Sequence, residues 1–307
     1  MTTESLLDIK KCVKGAVLYN EPMSRHTSFR TGGPAEVWAE PHDFDDLHNC
    51  IMWAKDRGMR VFVVGGGTNL LVRDEGIKGM VVSMTSPEMR KMYHGNVRVA
   101  ATAAVKLGEF VKFCANRNLS GLEFLAGIPG TIGGAVMMNA GARHYDKKDV
   151  WYSIGNFAEE VKAMDYDGAT HILTKKDFGF GYRASNLKNF IIAEVKFLLT
   201  KADKENVLKE CRNFLRKKKL TQDLSRPSAG CVFKNPAGNE KSAGELIDGC
   251  GLKGRRVGGA LISRKHANFI VNAGGATSRD IIDLINIAET EVRNKFGIKL
   301  ELEIKIV

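Results

Sequence analysis

Two glycine-rich segments stand where predicted strands stop, and they constrain the fold more than any other feature of the chain. The first, VVGGGTNLLV (63–72), turns one strand into the next through three consecutive glycines. The second, GIPGTIGGAVMMNAG (127–141), carries five glycines in fifteen residues. Glycine allows positive φ and lets main-chain N–H groups approach an anion. Either segment alone is also typical of a tight turn, but two in one basic chain favour a dinucleotide whose pyrophosphate is held by main chain.

Neither segment matches a common nucleotide-binding fingerprint. The first lacks the third glycine of GxGxxG and runs into a strand instead of a helix, which excludes a Rossmann site. The sequence contains no Gly-Lys dipeptide, which excludes a P-loop. The expected phosphate site is therefore of another kind.

The composition predicts a globular protein with room for two or three domains. The chain has 307 residues, of which 44% are hydrophobic. The N-terminus has no signal-peptide pattern and no apolar run approaches 18 residues, so we expect no membrane insertion. The six cysteines are at least 19 residues apart and form no CxxC. That spacing favours neither a disulfide scaffold nor a zinc site, and it predicts a reducing cytoplasm.

The net charge of +11 predicts an anionic partner. Nucleic acid and a pyrophosphate-bearing ligand both remain open on this ground. The basic residues are scattered, and the densest run, RKKK (216–219), ends a predicted helix. Cations are favoured at helix C-termini, so this run is typical of a solvated helix end.

The hydrophobic periodicity predicts an α+β chain. In the hairpin VKAMDYDGATHILT (161–174), Asp167-Gly168 predicts a two-residue turn. SAGE (242–245) predicts a capping box, and the strict alternation of KLELEIKIV (299–307) predicts a final strand. Further strands are predicted at 35–41, 60–64, 70–73, 97–105 and 190–200, and helices at 43–58, 107–118, 202–219 and 277–297.

Four polar residues are candidates for chemistry, each with a structural alternative. Cys231, in SAGCVFKNP, is either a small buried hydrophobe or a proton donor, since a free thiol has a pKa near ~8.5 and is protonated at neutral pH. Arg183, in GYRASN, either clamps a carboxylate or pairs with a surface acid. Glu303 lies on the polar face of the predicted last strand, and that pattern alone favours a solvated position. His266 is expected to be a structural histidine.

Five segments in this order and spacing resemble one family. They are RHTSFRTGGPA (25–35), VVGGGTNLLV (63–72), GIPGTIGGAVMMNAG (127–141), GYRASN (181–186) and PSAGCVFKNP (227–236). KHANFIVN (265–272) and ELEIK (301–305) fit as well. Together they resemble the UDP-N-acetylenolpyruvoylglucosamine reductases, flavoenzymes of bacterial cell-wall synthesis. The resemblance extends from about Arg25 to the end of the chain.

The resemblance implies a fold class: α+β, with a two-subdomain FAD-binding fold of the vanillyl-alcohol-oxidase (PCMH) type and an α+β substrate-binding domain. The implied FAD subdomains are residues 1–84, completed by strand 298–307, and residues 85–201. The implied substrate-binding domain is 202–297. One subtype inserts an extra tyrosine-bearing loop before the SAG turn. Only 47 residues separate Arg183 from Cys231, so the chain resembles the shorter subtype.

The resemblance also implies a reaction. NADPH is the hydride source, FAD the carrier, and UDP-N-acetylglucosamine enolpyruvate the acceptor at its β-carbon; protonation of the α-carbon then gives UDP-N-acetylmuramate. Arg183 matches the arginine that holds the carboxylate, where negative charge develops. Glu303 matches the C-terminal catalytic glutamate. Cys231 occupies a position that is commonly serine, and two roles stay open for it: proton donor, or relay from Glu303.

Further contacts are implied by matching positions. Lys305 stands where many members carry arginine, which weakens the expectation of bidentate binding there. No metal is implied, and we expect a monomer that binds no nucleic acid. The implied substrate contacts are Tyr182, Lys234, Asn235 and Lys305. The implied FAD contacts are Arg30, Thr31, Gly65, Gly66, Gly67, Thr68, Asn69, Gly127, Pro129, Gly130, Thr131, Gly133, Gly134 and Ala135.

Two other functions are weighed against this reductase. A related flavin oxidase, acting on an alcohol or aldehyde, would turn over with oxygen and without NADPH. It would not need the SAGCVFKNP turn. A basic nucleic-acid-binding protein would bind with steep salt dependence and carry no flavin.

Overall fold

The protein is described from a computed structural model, which covers residues 9–147 and 150–307. The chain divides into two compact units, each with its own hydrophobic cluster. Unit 1 comprises the described residues up to Tyr19, then Val37–Gly66 and Lys78–Lys217. Unit 2 comprises Asn20–Glu36, Gly67–Ile77 and Lys218–Val307. The predicted domain boundaries at 84, 201 and 297 are functional assignments and stay a prediction.

Helices and strands alternate along the chain, as the sequence predicts for an α+β protein. The helices are α1 (Ile9–Cys12), α2 (Phe44–Asp56), α3 (Leu107–Ala115), α4 (Ile132–Met137), α5 (Lys175–Phe178), α6 (Lys204–Thr221), α7 (Ala243–Gly249) and α8 (Ser278–Phe296). The strands are β1 (Ala16–Pro22), β2 (Pro34–Glu40), β3 (Val61–Val64), β4 (Leu70–Leu71), β5 (Ile77–Ser83), β6 (Met92–Gly95), β7 (Arg98–Thr102), β8 (Leu119–Ser120), β9 (Gly141–Arg143), β10 (Trp151–Ser153), β11 (Ala158–Asp165), β12 (Thr170–Thr174), β13 (Phe190–Leu198), β14 (Thr200–Lys201), β15 (Arg256–Val257), β16 (Ala260–Ile262), β17 (Ile270–Asn272) and β18 (Lys305–Ile306).

The first sheet has four strands in the order β1-β2-β5-β3, and β3 runs parallel to β5. Strands β2 and β3 confirm the strands predicted at 35–41 and 60–64. Helix α2 confirms the helix predicted at 43–58. Asp43 caps it by accepting from Asp46 N at 2.8 Å, and the chain leaves it through Gly58 at φ 59°. Asp46 is fully buried, and its carboxylate accepts from three main-chain N–H groups at 2.8–2.9 Å, which fixes the segment before the helix.

The second sheet has five antiparallel strands in the order β12-β11-β13-β7-β6. Strand β13 lies in the centre and confirms the buried strand predicted at 190–200. Strand β7 and helix α3 confirm the elements predicted at 97–105 and 107–118, each shorter than its pattern. Phe110 and Phe197 pack together in the core of unit 1, with their ring centroids 5.1 Å apart.

The turn between β11 and β12 differs from the prediction. Asp165 N donates to Ala169 O at 2.9 Å, so the loop has three residues instead of two. The Asp165 carboxylate causes the difference, because its Oδ1 accepts from both Asp167 N and Ala169 N at 2.9 Å. Gly168 then takes φ 90°, the left-handed position of a three-residue hairpin loop.

The helices of the C-terminal third agree with their sequence signals. Helix α6 confirms the helix predicted at 202–219. Helix α7 begins at the predicted capping box of Ser242 and Glu245. Helix α8 begins at Thr277, which forms a second capping box, and ends at Gly297 with φ 68°. No helix within residues 9–147 and 150–307 is long and apolar enough to cross a membrane.

The final segment is not the continuous strand that 299–307 predicts. Only β18 is regular, and it pairs in parallel with β4, the short strand near the end of the first glycine segment. Upstream, Leu302 pairs with Phe233 as an isolated bridge. The alternation predicts burial in part, since Leu300 and Ile304 are buried whereas Leu302 and Ile306 are half-buried. The pairing is broken because two residues, Glu303 and Ile304, face one acceptor, Val232 O, at 2.8 and 3.4 Å.

Candidate active site

Cys231 begins a short extended segment of unit 2 that pairs on both sides. On one side Cys231 pairs with Phe269, and Val232 N donates to Asn268 O at 2.9 Å. On the other side Glu303 N donates to Val232 O at 2.8 Å. Cys231 and Glu303 are two of the three predicted catalytic residues. The structure brings them close along the chain, because Glu303 bonds to Val232, the residue that follows Cys231.

Glu303 is half-buried, unlike the other charged residues of its predicted face. Lys299, Glu301 and Lys305 are exposed. The irregular pairing at Val232 O gives the reason, because a bulge re-aims the side chain that it carries. The alternation alone favours a solvated position for Glu303, whereas the structure places it half-buried.

The end of the first glycine segment is bound to the residues around Glu303. Asn69 Nδ2 donates to Glu303 O at 3.1 Å, and Lys305 N donates to Asn69 O at 2.9 Å. Asn69 is a predicted FAD contact, and Glu303 a predicted catalytic residue. These two hydrogen bonds fix the main chain at Glu303 relative to Asn69.

Asn268 is a positioning residue that the sequence analysis missed. It is 3% exposed; its Oδ1 accepts from Phe233 N at 2.9 Å and its Nδ2 donates to Phe233 O at 2.8 Å. Phe233 and Leu302 face each other as a non-hydrogen-bonded pair, so the N–H and C=O of Phe233 point away from Leu302. The Asn268 carboxamide provides the partners for these two groups. The only sequence signal is an asparagine between apolar residues in KHANFIVN.

The environment of Cys231 differs from that of the buried thiols. All six cysteines are free, and Cys231 is half-buried. Burial raises the pKa of Cys50 and of Cys114 to about 12, and that of Cys211 to about 11. These three belong to the core of unit 1. Cys231 reaches its position through Gly230, which takes φ 79°.

His266 has the environment expected of a structural histidine. Its ring lies 4.9 Å from that of Phe269, and its Nδ1 accepts from Asn268 N at 3.3 Å. Burial, with a smaller contribution from Lys253, lowers the pKa of His266. No group of three or more His, Cys, Asp or Glu in the described residues is arranged to hold a metal ion.

Arg183 lies in a two-residue turn of unit 1, the Tyr182–Arg183 turn. Gly181 and Ala184 exchange main-chain hydrogen bonds of 3.0 and 3.3 Å across it. Arg183 takes φ 54°, the left-handed region that a non-glycine residue adopts infrequently. Its Nη1 donates to Gly141 O at 3.0 Å. The backbone is therefore strained where a predicted catalytic side chain begins.

Two aromatic rings flank the Arg183 guanidinium. The guanidinium lies 5.1 Å from the Trp151 ring and 5.5 Å from the Tyr182 ring. The two rings meet edge to face at 5.6 Å, and both are exposed. Tyr182 is a predicted substrate contact, whereas Trp151 was missed, because one tryptophan at the edge of an unremarkable segment gives no signal.

The two glycine segments meet within unit 1. A Cβ on Gly65 would lie 2.5 Å from Thr131 Oγ1, so only glycine fits there. Gly127 and Gly130 take φ 75° and 121°, conformations that glycine adopts without strain. Gly133 N donates to Ala103 O, and a Cβ on Gly133 would meet that alanine at 2.8 Å. Packing against Ala103 therefore explains why residue 133 is a glycine.

Five of the predicted FAD contacts lie in unit 2: Arg30, Thr31, Gly67, Thr68 and Asn69. A Cβ on Gly67 would lie 1.9 Å from His26 O, and Ser28 N donates to Gly67 O at 3.1 Å. Thr31 is buried and its carbonyl accepts from Thr27 Oγ1 at 2.8 Å. The main chains of RHTSFRTGGPA and of the first glycine segment therefore approach each other closely at Gly67. Main-chain N–H groups of such loops suit a pyrophosphate-bearing cofactor.

The predicted substrate residues of unit 2 lie along the same pairing as Cys231. Lys234 N donates to Glu301 O at 2.8 Å, and its Nζ lies 3.5 Å from Glu301 Oε2. Asn235 is exposed and its Oδ1 accepts from Ala243 N at the start of α7. Lys305 is exposed on β18. Their contacts with substrate stay predictions.

Two family models match this chain. The model of the family "FAD binding domain" matches residues 35–174, and that of "UDP-N-acetylenolpyruvoylglucosamine reductase, C-terminal domain" matches residues 222–307. These matches confirm the predicted combination of an FAD-binding part and a separate C-terminal domain.

Named relatives cover almost the whole chain. A UDP-N-acetylenolpyruvoylglucosamine reductase of Caldanaerobacter subterraneus is 40% identical over 99% of this chain and 98% of its own length. One of Moorella thermoacetica is 39% identical over 97% and 96%. The crystal structure of the reductase (MurB) from Thermus caldophilus is 34% identical, with a TM-score of 0.77, over 95% of this chain and 98% of its own. The chain belongs to the UDP-N-acetylenolpyruvoylglucosamine reductase family, the FAD-dependent oxidoreductases known as MurB.

Proposed function

We propose that this chain reduces UDP-N-acetylglucosamine enolpyruvate to UDP-N-acetylmuramate, with NADPH as the hydride source, in peptidoglycan synthesis. The observation that carries the proposal is the match of almost the entire chain to named reductases, at 40% identity over 99% of its length. The contacts of Cys231, Glu303 and Arg183 support the roles assigned below.

The glycine segments and RHTSFRTGGPA would hold the FAD. When bound, FAD supplies hydride transfer from NADPH to the β-carbon of the enolpyruvyl group. Main-chain groups suit the pyrophosphate because Gly65, Gly67 and Gly130 lack the side chains that would keep it at a distance. We assign the other predicted contacts to the same cofactor: Arg30, Thr31, Gly66, Thr68, Asn69, Gly127, Pro129, Thr131, Gly133, Gly134 and Ala135.

Arg183 binds the carboxylate of the enolpyruvyl group in this proposal. Negative charge grows on that carboxylate as hydride adds to the β-carbon, so a fixed guanidinium stabilises the transition state more than the ground state. Gly141 O holds Nη1, and the Trp151 and Tyr182 rings flank the guanidinium. These contacts leave fewer conformations to be lost when substrate binds.

Cys231 and Glu303 handle the proton that the α-carbon requires. A neutral thiol can donate its proton to a carbanionic carbon. Glu303 is attached through its N–H to Val232, the residue after Cys231. We assign Cys231 as the donor and Glu303 as the group that returns a proton to it, and we assign substrate contacts to Tyr182, Lys234, Asn235 and Lys305.

The cellular setting follows from the proposed substrates. NADPH and a UDP-sugar are metabolites of the cytoplasm, and the six free cysteines fit a reducing compartment. We propose that the enzyme acts there as a monomer and serves cell-wall growth, and through it cell shape and division. Light scattering on the FAD-loaded protein tests the monomer against the chain mass of 33.8 kDa.

The proton assignment is tested with four variants in anaerobic half-reactions. The variants are Cys231→Ala, Cys231→Ser, Glu303→Gln and, as the matched control, Cys250→Ala, another half-buried cysteine. Each protein is reduced with one equivalent of NADPH and mixed with UDP-N-acetylglucosamine enolpyruvate while flavin absorbance is recorded.

We expect Cys231→Ala to slow flavin reoxidation by about 10²–10⁴-fold, the usual contribution of a general acid. Cys231→Ser should retain most of the rate, and Cys250→Ala all of it. Reoxidation of Cys231→Ala at the wild-type rate contradicts the proton assignment. Wild-type flavin that ignores the substrate and reacts only with oxygen contradicts the reductase itself and favours the oxidase.

A further inference from the structure

Asn139 lies near the end of the second glycine segment and is almost completely buried, at 7% exposure. Its side chain bonds to the main chain of two separate loops. Oδ1 accepts from Gly155 N at 3.0 Å, and Nδ2 donates to Gly181 O at 2.8 Å. Gly181 is the first residue of the pairing that closes the Tyr182–Arg183 turn.

The same short stretch also holds the other end of Arg183. Two residues after Asn139, Gly141 O accepts from Arg183 Nη1 at 3.0 Å. The backbone of the turn and the tip of its arginine are thus both bound by residues 139–141. A left-handed, non-glycine residue such as Arg183 persists only where its surroundings restrain it in this way.

We infer that Asn139 is a positioning residue for carboxylate recognition: it restrains the Tyr182–Arg183 turn so that the guanidinium is presented to the substrate in one orientation. The inference rests on the proposed function, in which Arg183 binds the enolpyruvyl carboxylate. It gives the last residues of the glycine segment a role apart from the cofactor.

The chemistry of the site requires asparagine. One atom must accept from an N–H and its neighbour must donate to a C=O, which only a carboxamide of this length does here. Asn139 itself takes φ 42°, a conformation that asparagine tolerates better than most residues. Gly155 has no room for a side chain, since a Cβ would lie 2.7 Å from Asn139 Oδ1 and 2.4 Å from the Phe180 ring.

Two substitutions separate the effect of the Asn139 side-chain hydrogen bonds from that of its left-handed backbone conformation. Asn139→Asp keeps the shape but replaces the donor with an oxygen that repels Gly181 O. Asn139→Gly removes both hydrogen bonds and tolerates the left-handed φ. The matched control is Asn156→Ala, an exposed asparagine whose side chain accepts from Ser153. FAD content, reduction by NADPH and reoxidation by UDP-N-acetylglucosamine enolpyruvate are measured for each.

We expect Asn139→Asp and Asn139→Gly to slow substrate-driven reoxidation about 10- to 100-fold, because misplacing a substrate-holding group by about 1 Å costs this much. FAD content and the rate of reduction by NADPH should match wild type, as all three measurements should for Asn156→Ala. In an Arg183→Ala background, Asn139→Gly should add less than about twofold, because both changes remove one function.

Three results overturn the inference: wild-type reoxidation in both Asn139 variants, equal slowing of reduction and reoxidation, or full additivity with Arg183→Ala. Failure of the proposed function is recognised separately, because wild-type reduced flavin would then not be reoxidised by the substrate. If Asn139→Gly does not retain FAD, Asn139→Asp carries the same comparison.

Discussion

Replacing Asn268 with alanine should destabilise the segment that carries Cys231 more than any single change at the surface. The carboxamide of Asn268 is the partner of both main-chain groups of Phe233, at 2.9 and 2.8 Å. Both residues are buried, at 3% and 1% exposure, so water does not replace the lost bonds without a local opening.

The magnitude follows from the two orphaned groups. Leaving a buried donor or acceptor unpaired costs about 1–3 kcal/mol, so Asn268→Ala should lower the free energy of unfolding by about 2–6 kcal/mol. This is a large part of the ~5–15 kcal/mol that stabilises a typical domain. Asn239→Ala is the control, because its Oδ1 accepts from the exposed Lys241 N, and it should cost about 1 kcal/mol or less.

The assay is urea unfolding of the FAD-loaded proteins, with the midpoint and slope compared. Asn268→Asp tests the direction in which stability changes with pH. Its buried carboxylate faces Phe233 O, so its pKa should be raised, and the protonated acid restores a donor. Stability relative to wild type should then recover as the pH falls from 7 towards 5. Asn268→Ala within 0.5 kcal/mol of wild type, as surface changes usually are, would refute the reasoning.

Two further predictions concern single contacts. Gly65→Ala places a Cβ 2.5 Å from Thr131 Oγ1, so FAD affinity should fall about 5- to 150-fold, equivalent to ~1–3 kcal/mol of overpacking. Titration of the apoprotein with FAD measures this. His266 has a lowered pKa in the folded protein, so the unfolded chain takes up its proton first, and stability should fall as the pH drops below about 6.5. His266→Gln should flatten that dependence in urea midpoints between pH 7.5 and 5.5.

Both predictions have clear contrary outcomes. Gly108→Ala is the control for the first, because nothing lies within 4 Å of its Cβ position. If Gly65→Ala binds FAD as tightly as Gly108→Ala does, the close approach of Gly65 to Thr131 does not limit FAD binding, which contradicts the prediction. If His266→Gln keeps the full wild-type slope between pH 7.5 and 5.5, another group is responsible for it.

Sequence reasoning succeeded where local signals decide the structure. Helix α8 is predicted to within a residue at each end, because Thr277 and Gly297 are capping signals carried by the residues themselves. The five motif segments, read together, were enough to identify the family. The C-terminal alternation also predicted the burial of Leu300 and Ile304, although it overpredicted the length of the strand.

The failures concern contacts between residues far apart in the chain. Asn268 bonds to a residue 35 positions away and Asn139 to one 42 positions away, and neither pairing has a local pattern. Glu303 was expected to be solvated because alternation assigns it to a polar face. The irregular pairing of Glu303 and Ile304 with Val232 O accompanies its half-buried position. The sequence of the last strand alone does not show which segment it pairs with.

The central claim is that electrons from NADPH pass through FAD to the enolpyruvyl substrate. The most direct test is one anaerobic turnover of the wild-type holoenzyme. One equivalent of NADPH should bleach the flavin, and UDP-N-acetylglucosamine enolpyruvate should restore its absorbance with formation of one equivalent of UDP-N-acetylmuramate. Flavin that stays bleached until oxygen is admitted, with no muramate formed, would contradict the account.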